Sequence, residues 1–266
     1  MQLRIGTCGW SFDAWRKPFY PAEDTDQLAF YATRFAAVEI DSTWYHMPSE
    51  STVKSWYART PAAFVFCPKL PGEITHEKLL RDSEALVARF TEVIAGLHEK
   101  LGCVLVQLSP KFAAGEFPRL ADFLRALPQS IRYAVEFRHK SWAEHPEALA
   151  LLRELKMAVA MADHPWYPRM EHITCDFAYL RLLGRRDVFP DYSKVYLPRD
   201  PKIAEWAQML RSLDDGVSRA YVFVNNQFEG HSPATVRKLI ALLDADLDIP
   251  LPEPPRNEDA QPRLFD

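Results

Sequence analysis

The sequence predicts a single α/β domain folded as a (β/α)8 TIM-type barrel, and three observations carry that prediction. Eight short β runs are spread along the chain, helical periodicity lies between most of them, and most runs are too continuously apolar for one-sided antiparallel strands. Such alternation specifies a parallel sheet covered by helices. A doubly wound open sheet shares the alternation. Eight strands with about seven helices favour the barrel.

Taken in order, the runs are LRIGTCG (3–9), AVEID (37–41), FVFCPKL (64–70), CVLVQLS (103–109), RYAVEFR (132–138), MAVAMAD (157–163), FAYLRLL (177–183) and AYVFVNN (220–226), all rich in β-branched, aromatic or aliphatic residues. After the third run, Leu86, Phe90, Val93, Ile94, Leu97 and Leu101 recur at helical spacing. Phe117, Leu120, Phe123, Leu124 and Leu127 do so after the fourth, and Ile203, Trp206, Leu210 and Leu213 after the seventh. Asp200-Pro201 and Ser232-Pro233 read as cap-then-proline helix starts. Between runs six and seven only HPWYPRMEHITCD intervenes, and its prolines and lack of periodicity predict an irregular connection. The barrel is expected to occupy residues 1–248, with a Pro-rich charged tail at 249–266.

A chain of 266 residues with 48% hydrophobic and 26% charged residues is that of an ordinary globular protein, and its formal charge of -4 argues against an extended nucleic-acid surface. No stretch approaches the ~20 apolar residues of a membrane span, and Met1 leads into an apolar run without a basic region, so a cytoplasmic location is expected. Cys8, Cys67, Cys103 and Cys175 show no C-x-x-C spacing, which argues against a structural zinc site.

Side chains at the carboxyl ends of barrel strands, and in the loops that follow, build the active site. Those ends give Thr7, Gly9 and Trp10; Glu39, Asp41 and Trp44; Lys69; Gln107 and Ser109; Glu136 and Arg138; Asp163, His164 and Trp166; Arg181; and Asn225 with Asn226. Polar groups at all eight ends are hard to attribute to solvent alone, so the expectation is a shared polar pocket.

Eight segments strengthen this. GTCGWSFDAWRKPFYP, VEIDSTWYHMPSESTVKSW, CPKLPGEITH, VQLSPKF, YAVEFRHKSW, MADHPW, YLRLLG and YVFVNNQFEGHSPATVRKL resemble the successive motifs of domain of unknown function seventy-two, the YecE-like family, in order from residue 3 to about 243. The resemblance implies a TIM-type barrel, with Glu39, Lys69, Gln107, Glu136, Arg138, Arg181, Asn225 and Asn226 at the family's motif positions. Two departures stand out: Cys8 where serine is common, and Gln227 where histidine is common, which removes a possible ligand or base.

Glu39 and Glu136, on strands two and five, are candidate catalytic carboxylates that could face each other across the mouth as an acid/base pair or as nucleophile and acid. Lys69 is the third catalytic candidate: a neutral lysine there could form a Schiff base, but the acidic surroundings favour its cation and a role with a phosphate or carboxylate. Arg138 and Arg181 add fork-shaped donors for anions. No cofactor is expected; a divalent metal held by Glu39, Glu136 or Asp163 is the lesser alternative, since Lys69, Arg138 and Arg181 would crowd a cation. Trp10, Phe12, Trp15, Trp44, Tyr45, Trp142, Trp166 and Tyr167 cluster after strand ends and suit sugar rings or unstacked bases, or form a hydrophobic lid. The expected function is a hydrolase or lyase acting on a sugar, nucleotide or nucleic-acid-derived group, and the alternative is a non-catalytic nucleotide or single-strand binding module.

The tail adds a partner. Gln261, Leu264 and Phe265 form Q-x-x-L-F, which resembles the short peptide that bacterial repair and replication proteins dock on the DNA sliding clamp. Tethering would raise the local concentration at DNA without a basic surface. A fluorescent peptide covering residues 257–266 is expected to bind purified bacterial clamp with micromolar affinity, and replacing Leu264 and Phe265 with Ala to abolish it. No anisotropy change at tens of micromolar clamp refutes the docking.

Overall fold

The computed structural model describes residues 1–143, 145–213 and 216–243, so the expected tail with Gln261, Leu264 and Phe265 lies outside the described residues. All eight expected strands form: β1 (Gln2–Cys8), β2 (Ala37–Ile40), β3 (Val65–Pro68), β4 (Val104–Gln107), β5 (Tyr133–Glu136), β6 (Ala158–Asp163), β7 (Phe177–Leu182) and β8 (Arg219–Val224). They pair in parallel in the order β3-β2-β1-β8-β7-β6-β5-β4. The sheet closes at a looser seam between β3 and β4, where Gly102 N donates to Phe66 O and Leu70 N to Leu105 O, both at 2.9 Å. This is a nearly closed TIM-type (β/α)8 barrel.

Helices α1 (Gln27–Ala32), α2 (Ser42–Tyr45), α3 (Glu50–Ala58), α4 (Glu84–Ile94), α5 (Phe117–Ala126), α6 (Pro146–Glu154), α7 (Asp200–Arg211) and α8 (Ser232–Leu243) lie between or after the strands. No helix lies between β6 and β7, where the prolines at 165 and 168 fall. The periodicity ending at Leu101 outruns its helix, because α4 stops at Ile94 and His98 has a positive φ of 47°. At α7 the start shifts by one residue. Asp200 is the first helical residue rather than the cap, and its carboxylate pairs with Lys238 of α8 at 2.7 Å.

Two shells of packing follow from the strand period of two. Leu3, Ile5, Val38, Ile40, Leu180, Leu182, Val222 and Val224 face the helices. The alternate positions face the barrel axis, where Ala134, Ala158 and Ala160 of β5 and β6 leave room for Phe177, Tyr179, Tyr221 and Phe223 of β7 and β8. Those rings pack edge to face or tilted at 5.4–6.2 Å. Large rings beside alanines fill the lower barrel, in keeping with the layered packing of such barrels. Among the described residues no helix is long and apolar enough to cross a membrane.

Candidate active site at the barrel mouth

Above the aromatic layer the axis-facing positions turn charged. Glu39, Gln107, Glu136 and Arg181 each stand at or near the carboxyl end of a strand, and Asp41, Lys69 and Arg138 continue the same parity just beyond it. Arg181 is the hub. Its Nε donates to Glu39 Oε2 at 2.9 Å and Nη2 to Glu39 Oε1 at 2.7 Å, a fork on one carboxylate, while Nη1 donates to Glu136 Oε2. Glu136 Oε1 accepts from Arg138 Nε at 2.6 Å and Gln107 Nε2 at 3.0 Å, and Tyr179 Oη reaches up to Glu39 Oε2 at 2.7 Å.

Burial makes these contacts obligatory. Glu39 and Glu136 are each 0% exposed and Arg181 is 2% exposed. An unpaired ion in that position would cost several kcal/mol, so each oxygen has a cationic or neutral donor. Burial alone would raise the Glu136 carboxyl, but Arg181 and Arg138 outweigh it and hold it well below the usual carboxylate range. Burial likewise opposes ionisation of Asp41, whose carboxyl Lys69 and Arg181 nevertheless lower. The Arg181 guanidinium is pushed up: burial disfavours its charge, and Glu136 and Glu39 more than reverse that.

A cavity of about 370 Å3 opens above this layer. Lys69, Arg138, Arg181 and Arg186 stand in its wall against a single carboxylate, Asp41. Lys69 Nζ pairs with Asp41 Oδ1 at 3.0 Å. Phe12, Tyr45, Trp166, Tyr167 and Tyr192 supply aromatic surface, and Trp166 and Tyr45 are each 62% exposed. The Arg138 guanidinium lies 4.6 Å over the Tyr167 ring, and the His164 ring stacks on the same ring at 3.9 Å. His164 Nδ1 accepts from Trp166 N at 3.3 Å. Burial, with Arg138 adding to it, holds the His164 imidazole down to about 4, so it is neutral at pH 7. Gly184 borders the same wall, where a Cβ would lie 1.7 Å from Gln227 O; only glycine lets the loops after β7 and β8 approach so closely.

The structure thus places the residues expected from the sequence in three groups. Asp41, Lys69, Arg138, Trp166, Arg181, Asn225 and Asn226 line the cavity. Glu39 and Glu136 lie beneath it as the partners of Arg181 and Arg138, and Gln107 with them as a donor to Glu136. Thr7, Trp10 and Asp163 are elsewhere. Thr7 faces the helices and hydrogen-bonds Tyr31 Oη at 2.9 Å, Trp10 packs edge to face on Trp56 at 5.7 Å, and Asp163 accepts from Trp206 Nε1 of α7 at 2.5 Å. Strand parity is the reason: Thr7 and Asp163 are one residue out of phase with the interior positions Cys8 and His164. Trp44 stands next to the site, with Lys69 Nζ 5.7 Å from its ring centroid and His76 stacked edge-on at 5.0 Å. Trp15 and Trp142, expected among the ligand-facing aromatics or the lid, are fully buried in the core.

The lesser metal alternative meets a physical obstacle. Asp163 points away, and both oxygens of Glu39 and of Glu136 already accept from arginine. Among the described residues Cys8, Glu39 and Asp41 bring ligand atoms within 4.8 Å of one another. Arg181 Nη2 sits between them, 4.0 Å from Cys8 Sγ, 2.7 Å from Glu39 Oε1 and 3.9 Å from Asp41 Oδ1. The guanidinium stands where a metal cation would stand, and two cations do not share that space.

Cys8, Arg186 and Tyr192 were not among the expected site residues. Cys8 is legible from parity, because it follows Gly6 on the axis face of β1. Arg186 and Tyr192 arrive on the long segment between β7 and α7, which has no periodicity to place them.

Fold and site together define a TIM-type barrel with a cationic, aromatic-rimmed mouth. The chain belongs to the family described as "Protein of unknown function DUF72", whose model matches residues 4–259. It is 34% identical to UPF0759 protein YecE of Escherichia coli (strain K12) over 125 residues, a stretch spanning 47% of this chain and about half, 46%, of that protein's length. With UPF0759 protein YunF of Bacillus subtilis (strain 168) it shares 24% identity over 273 residues, covering 91% of this chain and 95% of YunF. Among solved structures, a DUF72 family protein of Thermotoga maritima superimposes with a TM-score of 0.78 at 27% identity, covering 92% of this chain and all of that one. A DUF72 family protein of Enterococcus faecalis gives 0.74 at 20% identity, over 91% and 98% of the two chains, a likeness of fold.

Proposed function

We propose that the barrel mouth binds a phosphate-bearing ligand of the sugar or nucleotide type, as the recognition step of hydrolase or lyase chemistry. One observation carries this: in a chain of net charge -4, four cations border the cavity against three carboxylates, Asp41 in its wall and Glu39 and Glu136 beneath it, and among the described residues Arg186 has no carboxylate partner. A concave, partly desolvated wall with an excess of one sign concentrates oppositely charged ligands. Arg138 and Arg186 offer fork-shaped donors to phosphate oxygens, Lys69 a point charge, and Trp166 with Tyr167 a flat surface for a ring.

The chemistry then falls to Asp41 rather than to Glu39 and Glu136. The two glutamates are beneath the wall and hold Arg181 in place. A general acid needs a raised pKa, and Glu136 has the reverse. Asp41 lines the cavity and is ionised, which suits it to accept a proton or to stabilise developing positive charge. Because no protonated carboxylic acid stands with it on that wall among the described residues, a non-catalytic nucleotide-binding module is the second reading, and the tail at 249–266 is its proposed tether to the sliding clamp.

The test follows Trp fluorescence and calorimetry during titration with inorganic phosphate, ribose 5-phosphate and nucleoside monophosphates, each beside its unphosphorylated counterpart. Phosphorylated ligands are expected to bind at least 10-fold tighter, and Arg138→Gln to lower their affinity by about 10- to 100-fold, the loss of a charged hydrogen bond of roughly 1.5–3 kcal/mol. Equal binding of the phosphorylated and unphosphorylated members refutes the proposal. Product formation from a bound ligand, lost in Asp41→Asn, separates the enzyme from the binding module.

A further inference from the structure

The loop after β8 carries two adjacent amides whose orientations are fixed by the protein itself. Asn226 Oδ1 accepts three hydrogen bonds: from Trp15 Nε1 at 3.2 Å, Ser232 N at 3.0 Å and Ser232 Oγ at 2.8 Å. An amide oxygen so engaged cannot exchange places with its nitrogen, because Trp15 Nε1 and Ser232 N are donors only. Asn225 is set the same way, its Oδ1 accepting from Gln227 N at 2.9 Å. Both residues border the cavity. Asn226 is 3% exposed, yet its Nδ2 has no hydrogen-bond partner among the described residues. A buried donor left in that state is unfavourable unless an acceptor comes to it.

We infer that the Asn225–Asn226 amide pair is a donor-only recognition element for the ligand, which takes a carbonyl-type oxygen and rejects an amino group at the same position. The inference rests on the reading of the mouth as a phosphate-binding site and adds the polarity required at the ligand's other end. Cations and aromatic faces attract any phosphorylated ring. Fixed N–H donors instead discriminate between rings, since an amino group placed against them leaves two donors facing each other and both unpaired. Asn225 stands at an axis-facing position in line with Tyr221 and Phe223, and Asn226, one residue on and with its Oδ1 held by Trp15 and Ser232, borders the same cavity from the loop after β8. A mononucleotide with its phosphate at Lys69 and Arg138 and its ring beside Trp166 would present its base edge to this pair.

The experiment compares UMP with CMP and IMP with AMP, pairs that exchange a carbonyl oxygen for an amino group and, beside it, a ring N–H for a bare ring nitrogen, with inorganic phosphate as the control. Wild type is expected to bind UMP and IMP about 10-fold tighter than CMP and AMP. In Asn226→Asp the three donors to the retained oxygen persist while the N–H donors become an acceptor, so the preference is expected to invert, with a cooperative thermal melt showing that the variant folds. Asn225→Asp, at a less buried position, is the second variant and should move the ratio in the same direction. Equal binding of the paired nucleotides by wild type, or an unchanged ratio in both folded variants, overturns this inference; if phosphate still binds, the phosphate reading stands. Failure of phosphate and of all four nucleotides to bind overturns both.

Discussion

Replacing Arg181 with Met is expected to lower the stability of the folded chain by about 3–5 kcal/mol at pH 7, the cost of breaking a buried ion network by removing one partner. In thermal terms that is a fall in Tm of roughly 10 °C for a chain of this size. The size of the effect follows from what Arg181 holds together. It binds both oxygens of Glu39 and one of Glu136, and both carboxylates are sealed from solvent. Glu136 keeps Arg138 and Gln107 after the substitution, whereas Glu39 keeps Tyr179 as its hydrogen-bond donor. Met has the volume but no charge, so the loss is electrostatic rather than a cavity. Acid should partly rescue the variant, because protonating the stranded carboxylate removes the buried charge. The difference between wild type and Arg181→Met is therefore expected to shrink between pH 7 and pH 5 in denaturant titrations. A deficit below about 1 kcal/mol, or one independent of pH, would show that the network is not what organises the mouth.

This centrality explains which parts of the molecule the sequence discloses and which it conceals. The eight strands are legible because each is a short apolar run with β-branched or aromatic residues, and the missing helix between β6 and β7 is legible from its prolines. The charged layer is legible too, since a glutamate or arginine inside a strand otherwise made of Ala, Val and Leu has no reason to be there except a partner. What a linear reading conceals is the face. Glu39, Gln107, Glu136 and Arg181 happen to fall on axis positions, while Thr7 and Asp163 sit one residue away from them and face the helix shell. Applying the period of two from Ala158, Ala160 and Ala162 predicts His164, not Asp163, as the residue that reaches the mouth. Partnership is concealed as well. Two glutamates on opposite strands look like an acid and a base until a third strand places a guanidinium between them. Trp15 and Trp142 show the same limit for aromatics, as both follow strand ends in sequence but turn into the core, where Trp15 and Trp142 donate to Asn226 and to Phe112 O.

The converse substitution, Glu136→Gln, is expected to destabilise by about 2–4 kcal/mol at pH 7 but with the opposite response to acid. Here a carboxylate is removed, so Arg181 and Arg138 lose the charge that they share, and one Gln N–H group faces them as a donor against donors. The sign of the pH dependence follows from the depressed carboxyl of wild type. A group held below its unfolded value of about 4.3 contributes its stabilisation in full above that value and loses it as the pH falls further toward the folded value. Gln has no such group to lose. The gap between wild type and Glu136→Gln should therefore stay constant from pH 8 to about pH 5 and close below about pH 4, because wild type declines rather than because the variant recovers. Arg181→Met differs on this point, since its gap already narrows above pH 5. A double variant, Glu136→Gln with Arg181→Met, should cost less than the two single losses together, as expected for residues that touch. Ligand titration completes the argument. If Glu136 acts by holding Arg138 and Arg181, Glu136→Gln weakens phosphate binding only as far as those side chains move, and adding Arg138→Gln should lower what remains by about a further 10- to 100-fold. Unchanged stability together with a complete loss of turnover on a bound ligand would instead return Glu136 to the reaction itself.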